Sequence, residues 1–266
     1  MQGRVLIIAG SDSGGGAGIQ ADIKAVTALN GFAMTALTAL TAQNTEGVHA
    51  VHELPEDFIT RQIEVVLEDL GADVIKLGML HRASVIVAVA DALARLAPDV
   101  PVVLDPVMVA KGGHALLEDD AMAALIEHLI PKAALITPNV PEAEALSGLK
   151  IDSVDDFARV AQKLTALGGK AVLIKGGHMS GDTLTDGLWE NGKMQVFESQ
   201  RIDTRHTHGT GCTLASAIAC GLAQGLDRAA AVTRGRAYVL EAIRTAPGYG
   251  KGHGPLNHAH TVRDFS

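Results

Sequence analysis

The feature that most constrains the fold of this chain is a regular alternation between short apolar runs and longer amphipathic segments. Runs rich in Val, Ile, Leu and Ala have the length and composition of buried strands. They are Val5–Ala9, Met34–Leu40, Val74–Leu77, Val102–Asp105, Ala134–Thr137 and Ala171–Ile174. Helical patterns lie between them at 18–29, 56–69, 83–96, 119–129, 140–147 and 154–167. This alternation is typical of βαβ units, so the sequence predicts a three-layer α/β/α fold with a mostly parallel central sheet.

The alternation changes after Lys175, where a hairpin pattern appears. Asn-Gly between two strand patterns is a strong signal for a two-residue β-turn. The predicted strands are Thr183–Glu190 and Met194–Glu198, with the turn at Asn191-Gly192 between them. Two Ala-rich helical patterns follow, at Cys212–Gln224 and Arg228–Thr245. The sequence shows no charged linker, compositional break or internal repeat, so residues 1–266 are predicted to form a single domain.

Composition limits both the core and the partners. Hydrophobic residues make up 47% of the chain and aromatic residues only 3%, so the core must be built mostly from aliphatic side chains. The formal net charge of −8 argues against a nucleic-acid-binding surface, which normally carries a basic patch. It does not exclude a small anion, because a few backbone amides and one Lys suffice to bind phosphate.

The cysteines and the apolar segments indicate a compartment. Cys212 and Cys220 lie eight residues apart in one apolar segment, a spacing that is neither a disulfide framework nor a zinc motif. The first apolar run is too short for a secretory signal. The longest later stretch, Val85–Ala90, ends at Asp91, so we expect no membrane-spanning helix. These features predict a cytoplasmic protein with neither a nucleic-acid nor a membrane partner.

Polar and glycine-rich segments follow the predicted strands, at the sheet edge where open parallel sheets bind ligands. The first segment, Gly10–Asp22, has four glycines in the five residues from Gly14 to Gly18. It fits neither the dinucleotide fingerprint nor a Walker A loop. Glycines let the backbone approach a ligand closely; a flexible strand-to-helix turn is the alternative. Asp22 is expected in the first turn of the next helix.

Two further segments carry side chains suited to ligands. Gln43, at the end of the second apolar run, offers both a donor and an acceptor, which suits a heterocycle with a ring nitrogen beside an amino group. A turn cap is the alternative for Gln43. Asp105 stands at the end of a strand before Pro106, where a carboxylate is well placed to bind Mg²⁺ or its waters.

The next two segments combine a helix start with a cation. Asn139 is a good N-cap and Pro141 suits an early helical position. Glu142 then either shares a ligand-facing surface with Asn139 or closes a capping box. Lys175 ends a predicted strand before two glycines; it supplies the cation that a phosphate site needs, or it is a solvated strand terminus.

The most informative segment is His206–Thr213, which leads directly into an Ala-rich helical pattern. Successive N–H groups at a glycine-rich helix start bind anions and stabilise charge that develops during group transfer. Cys212 is expected in the first turn of this helix, where the pKa of a thiol tends to fall. The alternative is that Cys212 is only a small apolar residue.

Together these segments resemble the hydroxymethylpyrimidine/phosphomethylpyrimidine kinases of the ribokinase superfamily. The resemblance covers Ile8 to about Pro255 and rests on six blocks in the family's order, which are IAGSDSGGGAGIQADIKA, TAQNT, LDPVMVAKGG, ITPNVPEAEAL, VLIKGGH and THGTGCTLASAIA. It implies a ribokinase-like fold, typically dimeric. It also implies phosphorylation of 4-amino-5-hydroxymethyl-2-methylpyrimidine and then of its monophosphate, with ATP and Mg²⁺.

The resemblance also implies a role for individual residues. Gln43, Asp22, Gly10, Met79 and Val107 are expected to bind the pyrimidine. Lys175, Asn139 and Thr207 are expected at the nucleotide, and Asp105 and Glu142 at Mg²⁺. Cys212, with Gly209, Thr210 and Gly211, is expected to carry out the transfer.

One position separates this chain from most ribokinase-like enzymes. Those enzymes carry Gly-Ala-Gly-Asp where this chain has Gly-Thr-Gly-Cys, and their Asp acts as the base; a Cys there is usual for the pyrimidine kinase branch. Two alternatives remain open at this point: a pyridoxal/pyridoxine kinase, and a vitamin-precursor binding protein that has lost transfer. The intact Gly-Thr-Gly-Cys, Asp105 and Lys175 argue against such a loss.

Overall fold

A computed structural model of the chain describes residues 2–109, 113, 116–118 and 120–263. Within these residues all strands belong to one sheet. In chain order the strands are β1 (Arg4–Asp12), β2 (Phe32–Gln43), β3 (Val48–Glu53), β4 (Val74–Leu77), β5 (Val102–Leu104), β6 (Ala133–Ile136), β7 (Ala171–Lys175), β8 (Thr183–Glu190) and β9 (Lys193–Gln200). Their order across the sheet is β3-β2-β1-β4-β5-β6-β7-β8-β9.

The middle of the sheet is parallel and its edges are antiparallel. β2, β1, β4, β5, β6 and β7 run in the same direction. β3 pairs antiparallel with β2, and β8 and β9 extend the opposite edge. The strand order reverses at β1, since the chain first moves outward to β2 and later crosses to β4. Open sheets form a ligand-binding crevice at the carboxyl ends of the strands beside such a reversal.

Helices cover both faces of the sheet. They are α1 (Gly18–Ala28), α2 (Glu56–Asp69), α3 (Ala83–Leu96), α4 (Ala121–Ala124), α5 (Val140–Ser147), α6 (Phe157–Thr165), α7 (Thr210–Ala223) and α8 (Arg228–Arg244). The buried side chains of α1, α7 and α8 form one apolar cluster with the sheet, and those of α2 to α6 form another. The predicted three-layer α/β/α fold with a mostly parallel sheet is therefore confirmed.

β1 shows why aliphatic residues suffice for this core. Its side chains alternate between the two apolar clusters, so that Leu6 and Ile8 pack under one helical layer and Val5 and Ile7 under the other. All four side chains are completely buried. A central strand covered on both faces is apolar throughout, which is why the predicted strands appear as uninterrupted runs.

The strands that reach the crevice are longer than their apolar runs. β1 continues to Asp12 and β2 to Gln43, and the two strands still pair at Asp12 and Thr41. Backbone pairing therefore extends into polar residues that face the crevice. β3 was not predicted, because most of this edge strand is exposed and it carries His49 and His52 rather than an apolar pattern.

Three helices differ from their predicted bounds, and two of these differences change the position of a predicted site residue within its helix. α7 begins at Thr210, two residues earlier than predicted, so Cys212 is its third residue. Asp22 lies in the second turn of α1 rather than in the first. The pattern predicted as one helix at 119–129 is α4 followed by a π-turn at Leu125–Leu129, while residue 119 lies outside the described residues.

The hairpin prediction is confirmed, since β8 and β9 are joined by Asn191 and Gly192, both with positive φ. In the part of the chain that the structure describes, no helix is both long and apolar enough to cross a membrane.

A buried histidine ties the C-terminal segment to the helices. His258 is only 8% exposed, and its Nδ1 lies 3.2 Å from the hydroxyl of Tyr238 on α8. Burial, with the nearby charges of Lys24 on α1 and of His260, lowers the pKa of His258 to about 4. The neutral imidazole is therefore the form that the fold holds.

We expect this histidine to make the protein less stable in mild acid. Below pH 6.5 the unfolded chain binds a proton at His258 that the folded chain does not bind until about pH 4. Stability should therefore fall as the pH drops from 6.5 towards 4, by about 2 kcal/mol at pH 5. Urea unfolding of wild type and His258→Asn at pH 7 and pH 5 measures this difference, with the exposed His49→Asn as control. An equal loss in wild type and His258→Asn would contradict the assignment.

Candidate active site

A cavity of about 790 Å³ opens at the carboxyl ends of the parallel strands. Its walls come from the ends of β1, β2 and β7, from the loop after β5 and from the start of α7. Thirteen of the fourteen site residues expected from the sequence line it: Gly10, Gln43, Met79, Asp105, Val107, Asn139, Glu142, Lys175, Thr207, Gly209, Thr210, Gly211 and Cys212. The fold therefore brings together segments that are up to two hundred residues apart in the chain.

The start of α7 meets a lysine at one end of this cavity. Gly209 is the N-cap of α7, and the first N–H groups of a helix have no partner within the helix. A Cβ built on Gly211 would lie 3.4 Å from Lys175 Nζ and 3.8 Å from Asp105 Oδ2. The helix N-terminus, one cation and one carboxylate therefore converge, which is the arrangement that a transferring phosphoryl group needs.

The lysine is fixed by a buried ion pair. Lys175 Nζ lies 2.9 Å from Asp105 Oδ1, and the Thr137 hydroxyl lies 3.2 Å from the same oxygen. Burial by itself would lower the pKa of Lys175, but the carboxylates of Asp105 and Glu142 raise it above its ordinary value. The ammonium therefore stays charged and faces the start of α7.

Glu142 combines a capping role with a charged one. The side chain of Asn139 accepts from the Glu142 N–H at 2.9 Å, and Glu142 Oε2 accepts from the Asn139 N–H at 2.8 Å. The predicted capping box is thus present. Burial raises the pKa of Glu142 to about 7; Lys175 opposes this rise and Asp105 adds to it. Two buried carboxylates beside one lysine leave a surplus of negative charge that a cation would neutralise.

Another part of the cavity wall, around Gln43, has a polar edge and apolar sides. The Thr41 hydroxyl lies 3.0 Å from Gln43 Oε1, and Gln43 Nε2 lies 3.4 Å from His208 Nε2. A Cβ on Gly10 would lie 3.0 Å from Met79 Sδ, so Met79 packs closely against the backbone at Gly10. This part of the wall suits a small planar ring with one hydrogen-bonding edge.

A buried aspartate–histidine pair joins the two glycine-rich loops. Asp12 Oδ2 lies 2.8 Å from His208 Nε2 and accepts from the N–H groups of Gly16 and Ala17. Burial would raise the pKa of Asp12, but His208 and the backbone donors lower it below its ordinary value. The carboxylate is therefore ionised and holds the loop after β1 against the residue that precedes Gly209.

Comparison with known proteins identifies the family. The family model described as phosphomethylpyrimidine kinase matches residues 12–257. The chain belongs to this family. A hydroxymethylpyrimidine/phosphomethylpyrimidine kinase of Bacillus subtilis is 48% identical over 96% of this chain and 94% of its own length. The similarity therefore covers nearly the whole chain.

Other similar proteins agree with this membership. The thiamine biosynthesis bifunctional protein ThiED of Geobacter sulfurreducens is 48% identical over 99% of this chain, which spans 54% of that longer protein. The crystal structure of a phosphomethylpyrimidine kinase from Clostridium difficile has a TM-score of 0.81 and 43% identity over 90% of this chain and 99% of that one. A Bacillus subtilis pyridoxal kinase in complex with ADP has a TM-score of 0.90 and 37% identity over 97% and 98%. The ribokinase-like fold expected from the sequence is confirmed.

Asp22 is the predicted site residue that does not line the cavity of this family member. Its carboxylate is completely buried and is bound by Lys76 Nζ at 2.9 Å and by the Ser216 hydroxyl at 2.7 Å. Lys76, from the middle of β4, lines the cavity instead. The expectation that Asp22 contacts the pyrimidine directly is therefore corrected. A charge this deeply buried needs a charged partner, and of this pair only Lys76 lines the cavity.

Sequence reasoning missed several charged residues in the cavity wall. Besides Lys76 and the Asp12–His208 pair, Asp186 on β8 and Arg236 on α8 line the cavity and form a buried ion pair. A signal was available for Lys76, which is a charged residue inside an otherwise apolar strand pattern, and such residues are rarely buried without a partner. The sequence does not show which partner each one finds.

The expected low pKa of Cys212 is wrong. Burial raises the pKa of the Cys212 thiol to about 12; Lys76 opposes this rise, and the carboxylates of Asp22 and Asp105 add to it. The helix start lowers a thiol pKa only where the thiolate is not desolvated among carboxylates. At neutral pH Cys212 is therefore a protonated thiol.

We expect Cys212 to resist alkylation. At pH 8 a thiol with a pKa of about 12 should react with iodoacetamide about 10³-fold more slowly than a free cysteine, because only the thiolate attacks. A Cys220→Ala variant isolates Cys212, and mass spectrometry follows its labelling between pH 7 and pH 10. The same variant in urea is the control and should label rapidly. Labelling of the folded protein at the rate of free cysteine would contradict the raised pKa.

Proposed function

We propose that this chain transfers the γ-phosphoryl group of ATP to the hydroxymethyl group of 4-amino-5-hydroxymethyl-2-methylpyrimidine, and then phosphorylates the monophosphate to the diphosphate. Its relatives from Bacillus subtilis and Streptomyces coelicolor carry the name hydroxymethylpyrimidine/phosphomethylpyrimidine kinase. The chain is thus a phosphotransferase of thiamine biosynthesis. The observation that carries the proposal is the meeting of Gly211, Lys175 and Asp105 in a cavity that Gln43 also lines.

In this proposal one part of the cavity binds the pyrimidine and another binds the transferring phosphoryl group. Gln43 presents an amide to the polar edge of the pyrimidine, while Gly10 and Met79 flank the ring. The hydroxymethyl group then points towards the start of α7. There the N–H groups of Gly209 to Cys212 and the ammonium of Lys175 bind the phosphoryl group as its charge redistributes. Asn139 and Thr207 complete the nucleotide side.

The transfer does not require a strong base at this site to deprotonate the attacking hydroxyl. The transferring phosphoryl group passes through a loose transition state, in which the attacking hydroxyl keeps its proton until late. A neutral Cys212 thiol is suited to orienting that hydroxyl rather than to removing its proton early. In this proposal most of the rate enhancement comes from positioning and from charge stabilisation by the helix start and Lys175.

Asp105 and Glu142 are the residues that would hold Mg²⁺. Both carboxylates are buried, and hard carboxylate oxygens are the ligands that Mg²⁺ prefers. Burial raises the pKa of Glu142 to about 7 and the carboxylate of Asp105 adds to this rise, so a divalent cation beside the two carboxylates would favour their ionised forms. When bound, Mg²⁺ supplies charge neutralisation for the phosphates of the nucleotide.

Pyridoxal is a second candidate substrate because of one specific observation. The solved structures similar to this chain include pyridoxal kinases of Bacillus subtilis and Staphylococcus aureus, at 37% and 34% identity. Pyridoxal is also a small heterocycle with a hydroxymethyl group. The pyrimidine remains the first choice, since the more similar curated relatives carry the pyrimidine kinase name. The alternative of a binding protein without transfer is set aside, because these relatives are kinases.

The proposal also includes the oligomeric state of the protein and its cellular compartment. The resemblance to typically dimeric kinases supports a homodimer, and the two unpaired cysteines are consistent with a reducing, cytoplasmic environment. Light scattering after size exclusion would give twice the mass of one chain if the dimer forms.

Steady-state kinetics with both heterocycles tests the function. With ATP and Mg²⁺, the wild type should phosphorylate the pyrimidine and its monophosphate with a higher kcat/KM than pyridoxal. Gln43→Leu should weaken binding of the pyrimidine by about 1–3 kcal/mol, because the polar edge of the substrate is left without a partner. Binding of an ATP analogue should not change. The matched control is Gln195→Leu on the exposed strand β9. Absence of pyrimidine phosphorylation, or a higher kcat/KM for pyridoxal, would overturn the substrate assignment.

We expect the metal requirement to depend on the two buried carboxylates. Asp105→Asn and Glu142→Gln should each raise the Mg²⁺ concentration that gives the half-maximal rate, since each removes an anionic oxygen. Asp69→Asn and Glu68→Gln, at exposed positions near the end of α2, are the matched controls. Mg²⁺ titrations that coincide for wild type and both site variants would rule these residues out as metal ligands.

A further inference from the structure

A glycine-rich segment outside the cavity contacts both the turn after Gln43 and the segment before α7. We call residues 248–255, with the sequence Gly-Tyr-Gly-Lys-Gly-His-Gly-Pro, the brace. None of these described residues lines the cavity. The brace follows α8, and beyond it Leu256 is buried and the Asn257 N–H donates to the Ala242 carbonyl at 2.9 Å. It is therefore a span attached at both ends to the body of the protein.

One side of the brace holds the turn that carries Gln43. The His253 N–H donates to the Thr45 carbonyl at 2.8 Å, and the Gly252 N–H to the Thr45 hydroxyl at 3.3 Å. A Cβ on Gly252 would overlap the Thr45 carbonyl, so only glycine allows this approach. The turn is also held by its own bonds, since Asn44 Oδ1 accepts from Gly47 N–H at 3.2 Å. Fixing Thr45 therefore fixes the whole turn after Gln43.

The other side of the brace holds the segment before α7. The His208 N–H donates to the Gly254 carbonyl at 3.2 Å, and a Cβ on Gly254 would overlap the ring of His206. The Arg205 guanidinium donates to the carbonyls of Lys251 and Gly250. His208 immediately precedes the N-cap of α7, so these contacts act directly on the start of that helix.

We propose that the brace is a positioning element that sets the spacing between Gln43 and the start of α7. Its residues touch neither substrate. They act by keeping the turn after Gln43 and the segment 205–208 in one fixed arrangement. A ring bound by Gln43 then presents its hydroxyl to the start of α7. Misplacement of a reacting group by about 1 Å is enough to cost about 10²-fold in rate. The inference rests on the proposed function, because it assumes that the substrate reaches from Gln43 to α7.

Gly252→Ala tests the brace. It should lower kcat for the pyrimidine by about 10²-fold. The Kd of an ATP analogue should change much less than kcat, because Lys175 and Asn139 lie outside the contacts of the brace and only Thr207 of the three expected nucleotide residues lies within segment 205–208. Hydrogen exchange should accelerate at the His208 and His253 amides, whose bonds the added methyl group displaces. Gly47→Ala is the matched control, since a Cβ at Gly47 has no atom within 4 Å.

A gentler pair of variants covers the case in which Gly252→Ala does not fold. Thr45→Ser keeps the hydroxyl that accepts from Gly252, and the isosteric Thr45→Val removes it. Thr45→Val should lower kcat by about five- to tenfold relative to Thr45→Ser, the usual effect of one neutral hydrogen bond. Faster exchange at His208 and His253 with an unchanged kcat would overturn the proposal, and so would equal activity of the two Thr45 variants.

These results separate the brace from the proposed function. Hydrogen exchange reports the contacts of the brace whatever the substrate is. If the wild type proves to prefer pyridoxal, the kcat comparison is made with pyridoxal, and the same split between kcat and the Kd of the ATP analogue is expected. A failure of the substrate assignment therefore appears in the wild type, whereas a failure of the brace appears only in the variants.

Discussion

The ion pair between Lys175 and Asp105 is the interaction on which the rest of the site depends. It joins the end of β7 to the loop after β5 at a distance of 2.9 Å, across the intervening strand β6. The start of α7 then closes over it through Gly211. Because parallel strands end at one edge of the sheet, a cation and a carboxylate meet there, and the helix N-terminus joins them through Gly209, whose φ is +80°.

The cations that line the cavity of this acidic chain are held in place by buried aspartates. The formal net charge is −8, yet the cavity contains Lys175, Lys76 and Arg236, each paired with a buried aspartate. Burying an ion pair gives little stability by itself, because desolvation offsets the attraction between the charges. In this site the pairs instead orient their cations. The same desolvation keeps the thiol of Cys212 protonated.

The local predictions succeeded where the determining interactions are local. The capping box of Asn139 and Glu142 joins residues three positions apart, and the hairpin turn at Asn191-Gly192 depends on two neighbouring residues. The pKa of Cys212 was predicted in the wrong direction, because it depends first on burial and then on Lys76, Asp22 and Asp105 from distant parts of the chain. Asp22 was predicted to bind the ligand, but its carboxylate is bound by Lys76, which lines the cavity in its place.

The sequence by itself determined the three-layer fold, the family, and nearly every segment that reaches the cavity. Hydrophobic periodicity and turn chemistry act over a few residues, and six ordered blocks are specific to one family. Only the tertiary structure decided which charges pair, where Asp22 lies, and how the brace joins Thr45 to the distant His208. The physical reason is that burial and electrostatics depend on neighbours in space, and no local pattern records which distant residue becomes a neighbour.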